Sequence, residues 1–345
     1  MTILRHLAAD LRRDHAVTVA SFDEPCGCPG ITETTLARPA PPGRLWRLAP
    51  MQRAVALART VPPRLLRAAN IIVALDCHFA LALARTRPRR LLYLSLSCIP
   101  RQEWFAARPG IQRSLAAAQY GWLERRIAGL SGGMLASSPM HAADLRRYSR
   151  IRRPATVLLP AFPADGRACP REPGPLTILA AGRLEPGKDM AAVIVLAGLL
   201  RDLPCRWVIA GEGPERGALL AQTEAAGLAG RVHLPGAVAD LQPLLAQADI
   251  FVHPSRYESF GIAVFEAMRA GLPVLCGPRT GIAPMIGAAG GVVEFGQPEA
   301  AALLRAWIAD PTLRARMGAA GTAAAARVLA DDYHAGFRQA LAALS

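Results

Sequence analysis

Two glutamates, Glu258 and Glu266, are the residues whose type and spacing best suit chemistry, and Gly261 lies between them. Glu258 falls in a predicted loop, and Glu266 follows eight residues later, about one turn into the helix that Gly261 introduces. A carboxylate accepts hydrogen bonds from paired hydroxyls such as those of a ribose or a hexose. The amides that can receive a phosphate at the positive end of this helix are those near Ser259, Phe260, Gly261 and Ile262. The pattern predicts a site for hydroxyls and phosphate together; the alternative is a solvated Glu266, which its apolar helical neighbours disfavour.

A second candidate site follows the predicted strand Leu176–Ala181, where Gly182, Arg183 and Lys188 precede a predicted helix. A guanidinium and an ammonium at such a turn, together with free amides at the helix start, suit an anion such as a phosphate. Lys188 is the only lysine among the 40 basic residues of the chain. The retention of one compact ammonium in an arginine-rich protein favours a functional role over a chance surface position.

A third motif, Gly211-Glu212-Gly213, ends the next predicted strand in a sharp turn. Glycines there allow a ligand or a neighbouring loop to approach the backbone closely. A plain connection from strand to helix is an equally good interpretation of this turn taken alone.

These three motifs, in this order and spacing, give the chain a clear resemblance to a known family. Residues 111–330 resemble the donor domain of retaining glycosyltransferases of the GT-B fold, specifically glycosyltransferase family four, the glycosyl transferases group 1 type. The resemblance implies that Arg183 and Lys188 hold the diphosphate of a nucleotide-diphosphate sugar, Glu258 the transferred sugar and Glu266 the ribose hydroxyls. It also implies transfer of a hexose to an acceptor hydroxyl with retention of configuration. Neither a cofactor nor a metal is expected, because the sequence has no D-x-D signature.

The alternation of predicted strands and helices indicates an α/β protein with parallel, doubly wound sheets. With 345 residues the chain exceeds one typical core, and a segment rich in Pro and Gly at 160–175 reads as a linker. We therefore predict two Rossmann-like domains, residues 1–165 on the acceptor side and residues 175–328 for the donor. By the resemblance the two domains face a central cleft, and a terminal helix at 331–345 crosses back to the first domain.

The first half departs from the family pattern. Such proteins usually begin with a strand and a glycine-rich loop, whereas this sequence begins with a predicted helix, so we expect either a truncated start or a first domain that lacks its initial strand. Ser97 stands where the family commonly has a histidine, and the nearby His78 is more readily interpreted as structural. A non-catalytic nucleotide-sugar-binding partner subunit with a degraded acceptor domain is therefore an alternative. A nucleotide-sugar epimerase is a third hypothesis, which the spacing of the two glutamates disfavours.

The charge is distributed unevenly between the two halves. The net charge is +14, yet residues 1–170 hold 25 arginines and 10 acidic residues, while the remainder is nearly neutral. A basic first half predicts an anionic partner, such as a lipid-linked or glycan acceptor for envelope polysaccharide or an anionic membrane surface. Arginines that merely solvate helix faces are the alternative. A nucleic-acid partner is not expected, because only 6% of residues are aromatic and no recognition motif is present.

Targeting and redox features are sparse. The apolar runs are too short to span a bilayer, and the first residues lack the pattern of a signal peptide. These features predict a cytoplasmic protein, with peripheral association at the inner face of the membrane. The seven cysteines are scattered and odd in number, which indicates reduced thiols, and Cys26 and Cys28 alone are too few for a metal site.

Overall fold

The computed structural model describes residues 12–13, 16–21, 31–35, 61–75, 77–84, 91–95, 110–152, 155–159, 174–330 and 333–343. The hypotheses about Cys26, Cys28 and Ser97, and about the first residues of the chain, lie outside these ranges. The chain divides into two compact units, Met1–Pro163 with Asp331–Ser345, and Ala164–Ala330.

The first unit contains parallel β-sheets covered by helices. Its elements in chain order are β1 Thr18–Ser21, β2 Thr32–Thr35, α1 Pro63–Ala68, β3 Ile72–Ala74, α2 Cys77–Ala84, β4 Leu91–Ser95, α3 Gly110–Leu130, β5 Gly133–Ala136, α4 Pro139–Ser149 and β6 Thr156–Val157. Strands β3, β4, β5 and β6 form one parallel sheet in that order, and β1 pairs with β2 in parallel. All five residues of β4 are buried, as expected for a strand that helices cover on both faces.

The second unit is an alternation of strands and helices. Its elements are β7 Leu176–Ala181, α5 Ala191–Leu199, β8 Cys205–Ala210, α6 Arg216–Ala225, β9 Val232–Gly236, α7 Gln242–Gln247, β10 Ile250–His253, α8 Ile262–Arg269, β11 Val274–Cys276, α9 Ala283–Ile286, β12 Gly290–Val292, α10 Pro298–Ala309 and α11 Pro311–Ala330. The six strands form one parallel sheet in the order β12-β11-β10-β7-β8-β9. Trp207 and Phe251 are completely buried in its core, so the apolar strand segments that the sequence showed do form the interior. The predicted α/β class with Rossmann-like sheets is confirmed.

This strand order contains a reversal of winding within the second unit. The first strand of the unit, β7, lies beside the fourth, β10, and the chain winds outward from them in opposite directions. In open parallel sheets, ligands bind at the carboxyl ends of the strands where the winding reverses. The loops after β7 and β10 are therefore the ones that we expect to line a ligand crevice.

The last helix, α12 Tyr333–Ala342, belongs to the first unit. Phe337 is fully buried, and with Leu341 it packs in one apolar cluster with Leu92 and Leu94 of β4 and Leu135 of β5. The amphipathic character of this segment is thus used to cover one face of the sheet.

Candidate functional site

The carboxyl edge of β7 and β10 holds an ion pair between Lys188 and Glu258. Lys188 ends a short 3-10 turn, Pro186–Lys188, in the loop after β7, and Glu258 lies in the loop after β10. About a fifth of each side chain is exposed. The two residues that sequence reasoning placed in separate motifs therefore meet at the point where the sheet reverses its winding.

Three donors converge on a single oxygen of Glu258. Lys188 Nζ, His253 Nε2 at 3.1 Å and Ser255 Oγ at 3.4 Å all contact Oε1. Burial alone would raise the pKa of Glu258, but the interactions with His253 and Lys188 outweigh it and lower the pKa to about 2. Glu258 is thus an anion at neutral pH, and its Oε2 has no protein donor within the described residues.

Backbone contacts fix the loop that carries Glu258. The Glu258 amide donates to the Arg279 carbonyl at 2.9 Å, and the Gly281 amide donates to the Glu258 carbonyl at 2.9 Å. Arg256 ties the same loop to the turn of Lys188, because its amide donates to the Gly187 carbonyl at 3.0 Å and its Nε donates to Asp189 at 3.1 Å. The ion pair therefore sits between two loops that are bound to each other by backbone and side chain.

The predicted helix does not begin directly after Lys188. Asp189 has a φ of 50°, a left-handed conformation that interrupts helical geometry, so α5 starts at Ala191. This turn points the chain toward Arg256 before the helix begins.

The glycine turn at Gly211 and Gly213 is filled by a neighbouring loop. A Cβ at Gly211 would lie 1.8 Å from the Gly182 carbonyl oxygen, and one at Gly213 would lie 2.3 Å from the Leu184 carbonyl oxygen. The Leu184 amide also donates to the Glu212 carbonyl at 2.9 Å. Of the two roles that the sequence left open, the approach of a loop is the one that the structure displays, and the approaching loop is the one that carries Lys188.

Arg183 does not join this ion pair. Its side chain is 76% exposed and its Nη2 lies 3.0 Å from a carboxylate oxygen of Glu185. The first turn of the loop after β7 therefore points Arg183 into solvent, while the end of the same loop turns Lys188 inward.

Gly261 begins α8 in a conformation that a larger residue would disfavour. Its φ is 101°, and a Cβ would lie 2.6 Å from Cγ2 of Thr280. The Phe260 carbonyl accepts a hydrogen bond from the Ile282 amide at 2.8 Å, which anchors the chain just before the helix, while Ser259 and Ile262 flank this start. The amides of the first turn of a helix lack partners within the helix itself, so this start retains the character of an anion site.

Glu266 lies in α8, partly buried, and within the described residues its carboxylate has neither a hydrogen bond nor an ion pair. Burial raises its pKa and the neighbouring Asp240 adds to the increase, whereas Arg269 opposes it. Glu266 and Glu258 therefore differ in their partners. Among the described residues the Glu266 carboxylate has no hydrogen bond and its pKa is raised, whereas the Glu258 carboxylate is an anion that accepts hydrogen bonds and forms an ion pair.

Sequence reasoning missed His253 and Ser255 as parts of the site. His253 is the last residue of the buried strand β10, and its side chain is only 3% exposed. A polar residue at the carboxyl end of an otherwise apolar parallel strand was the signal available for it.

A second polar cluster is buried in the first unit. His141 Nδ1 accepts from the Ser137 amide at 3.3 Å and contacts Ser137 Oγ at 3.0 Å, while its Nε2 lies 3.2 Å from Ser95 Oγ. Because a backbone amide can only donate, Nδ1 is the acceptor and the proton is on Nε2. Burial lowers the pKa of His141 to about 4. The cluster links the ends of β4 and β5 without opening to solvent. His78, the other histidine considered from the sequence, lies in α2.

Within the described ranges, no group of three His, Cys, Asp or Glu side chains is arranged to hold a metal ion. Likewise, none of the helices among these residues is long and apolar enough to cross a bilayer.

Comparison with known proteins identifies a family that part of the chain matches. Residues 167–324 match the family model described as Glycosyl transferases group 1, which confirms the predicted resemblance for this part of the chain. A D-inositol 3-phosphate glycosyltransferase of Streptomyces avermitilis is 32% identical over 248 residues, which are 61% of this chain and 53% of that relative. The chain thus spans about half the length of the curated relatives it matches.

Solved structures agree with the fold. WaaG, a glycosyltransferase involved in lipopolysaccharide biosynthesis, is 20% identical, with a TM-score of 0.77. The structural match covers 98% of this chain and 94% of WaaG. Anabaena HepE, solved in complex with UDP and glucose, is 18% identical with a TM-score of 0.74, again over 98% and 94% of the two chains. At these identities the similarity supports the GT-B fold.

Proposed function

We propose that this chain, whose residues 167–324 form a glycosyl transferases group 1 domain, transfers a hexose from a nucleotide-diphosphate sugar to an acceptor hydroxyl. The observation that carries the proposal is the Lys188–Glu258 pair at the winding reversal of the sheet. It sets an ammonium for the diphosphate beside a carboxylate for the sugar hydroxyls. The UDP and glucose bound by the structurally similar HepE support a donor of this class.

The chemistry proposed for each residue follows from its charge and position. Lys188 neutralises the negative charge that develops on the leaving diphosphate as the bond from sugar to phosphate loosens. Arg183, which is mostly exposed, adds a second cation when its guanidinium leaves Glu185 for the phosphate. We propose that these cations take the part that a divalent metal plays in other transferases.

Two carboxylates and one helix start bind the remaining parts of the donor. Oε2 of Glu258, which no described donor occupies, accepts a hydrogen bond from the transferred sugar. Glu266, which has no protein partner among the described residues, accepts from the ribose hydroxyls, and the α8 start at Gly261 receives a phosphate oxygen. The Gly182, Gly211 and Gly213 contacts serve this site by holding the Lys188 loop.

Retention of configuration is proposed from the family resemblance. For the acceptor we propose a glycan or lipid-linked hydroxyl, because the excess of arginine in residues 1–170 favours an anionic partner. The same charge supports peripheral contact with an anionic membrane.

The test is incubation of the purified protein with labelled UDP-, GDP- and ADP-sugars, followed by calorimetry on each. We expect one class to bind and to release its nucleoside diphosphate, through transfer or slow hydrolysis. Lys188→Ala and Glu266→Ala should weaken binding of that class. If no nucleotide sugar binds, the proposed donor site is refuted. If one binds but is never cleaved, even with candidate acceptors present, the chain is a nucleotide-sugar-binding subunit.

A further inference from the structure

His253 is a buried titratable side chain that the proposed chemistry does not use. It ends β10, where it is in register with Cys276 of β11, and the Gly277 amide donates to its carbonyl at 3.3 Å. Its ring stacks near Phe251, with 6.3 Å between ring centroids. Strand pairing and packing therefore leave the imidazole little freedom to move.

The hydrogen bonds of His253 specify where its proton lies. Nε2 is 3.1 Å from Oε1 of Glu258, and the Glu258 carboxylate can only accept, so the proton is on Nε2. Nδ1 is buried and has no hydrogen-bond partner among the described residues. The arrangement therefore directs the Nε2–H of the ring at Glu258.

Lys188 alone would hold Glu258 less securely. The same ammonium is proposed to bind the donor diphosphate, and each hydrogen bond it gives to a phosphate is one fewer for Glu258. Its four-carbon stem lets it move toward an incoming anion. His253 is fixed on a strand and gives its Nε2–H to the carboxylate, so its hold on Oε1 does not depend on whether the diphosphate is present.

We propose that His253 is a positioning residue: its Nε2–H holds Oε1 of Glu258 in place and leaves Oε2 directed to a hydroxyl of the transferred sugar. This inference rests on the proposed function of the site. On this assignment Lys188 binds the diphosphate, and His253 holds the carboxylate of Glu258 in position. The binding and release of the sugar, rather than the binding of the nucleotide, should therefore depend on His253.

The test compares His253→Phe, which removes the donor but keeps a ring, with His253→Gln, whose amide nitrogen can replace Nε2. Calorimetry with UDP and GDP, and then with UDP-glucose and GDP-mannose, separates nucleotide binding from sugar binding. We expect His253→Phe to bind the nucleoside diphosphates as wild type does, while kcat for sugar release falls about 10- to 100-fold, the range of a hydrogen bond to a charged group. His253→Gln should recover most of that loss.

His233 provides the matched control, because it is exposed on β9 and the same change to Phe should leave kcat unaltered. A readout independent of activity is the ring nitrogen spectrum of the free protein, in which Nε2 of His253 should carry a proton. Equal kcat for His253→Phe and wild type, parallel loss of UDP and UDP-glucose affinity, or an unprotonated Nε2 would each overturn the positioning role. Inactivity of the wild-type protein toward every nucleotide sugar would instead count against the proposed function, and the nitrogen spectrum would still test the hydrogen bond.

Discussion

Lys188 and Glu258 form an ion pair across 70 residues of sequence, and each belongs to a loop that leaves one of two adjacent central strands. The pair is mostly buried and shares its carboxylate with His253. A lysine ammonium has several N–H groups, so Lys188 can donate to an incoming anion as well as to Glu258.

Removal of Lys188 should therefore chiefly weaken the binding of the diphosphate. We expect Lys188→Ala to raise the Kd for UDP or GDP about 10- to 100-fold, because one charge-assisted hydrogen bond or more is lost. Calorimetry gives the Kd directly. Arg201→Ala removes a basic side chain from an exposed position and should leave the Kd unchanged. Equal affinities for Lys188→Ala and wild type would show that Lys188 does not contact the diphosphate.

The raised pKa of Glu266 predicts an acid limit to nucleotide binding. Only the carboxylate can accept from both ribose hydroxyls, and burial makes it take up a proton at a higher pH than an exposed glutamate does. UDP or GDP affinity should therefore fall on acidification before ordinary carboxylates titrate. In Glu266→Gln the affinity should be lower at neutral pH and should change less with pH, whereas Glu299→Gln, at an exposed position, should follow wild type. An unchanged acid limit in Glu266→Gln would contradict the assignment.

Gly213 should tolerate no side chain. An alanine Cβ would lie 2.3 Å from the Leu184 carbonyl oxygen, and the φ of 158° is itself unfavourable for alanine. We expect Gly213→Ala to lower the free energy of unfolding by about 1–3 kcal/mol and to weaken donor binding through displacement of the Lys188 loop. Chemical denaturation and calorimetry measure the two effects.

Gly217 is the matched control for this change, since it lies in α6 and a Cβ added there would meet nothing within 4 Å. Gly217→Ala should stabilise the protein by about 0.5–1 kcal/mol, as alanine does in helices. Similar effects of the two substitutions would mean that the Leu184 contact is not tight.

His141 should make the stability of the first unit depend on pH. Its folded-state pKa of about 4 lies below its ordinary value of 6.5, so the unfolded chain binds the proton more readily between these two values. The stabilisation is complete above pH 6.5 and is lost as the pH falls toward 4, by about 3 kcal/mol in all. Hydrogen exchange of peptides from β4 and β5 should show this loss in wild type and a flatter profile in His141→Gln. Identical pH profiles would assign the dependence to other groups.

The last helix should stabilise the first unit through Phe337. Phe337→Ala removes a fully buried ring from the cluster with Leu92 and Leu135, and we expect a loss of about 3–5 kcal/mol. Gln339→Ala, on the exposed side of α12, should change stability little. Faster hydrogen exchange in β4 and β5 is the expected sign; exchange that increases in α12 alone would show that the sheet does not need the helix.

Much of the site was predictable because its parts are local in sequence. The glycine turns, the lysine and Glu258 stand in loops that follow apolar strand segments, and parallel strands bring such positions to one edge. The partners of these residues were not predictable. Arg183 and Lys188 were expected to act together, yet one bend of the loop turns Arg183 to Glu185 and Lys188 to Glu258.

The sequence by itself determined the α/β class, the loops that hold the candidate residues and the charge type at each candidate position, because strand periodicity and turn residues act over short ranges. Only the tertiary structure decided which oxygen of Glu258 is occupied, that His253 occupies it, and that Gly211 and Gly213 admit a loop. Those facts depend on the order of strands in the sheet, which brings residues 70 positions apart within a hydrogen bond of each other.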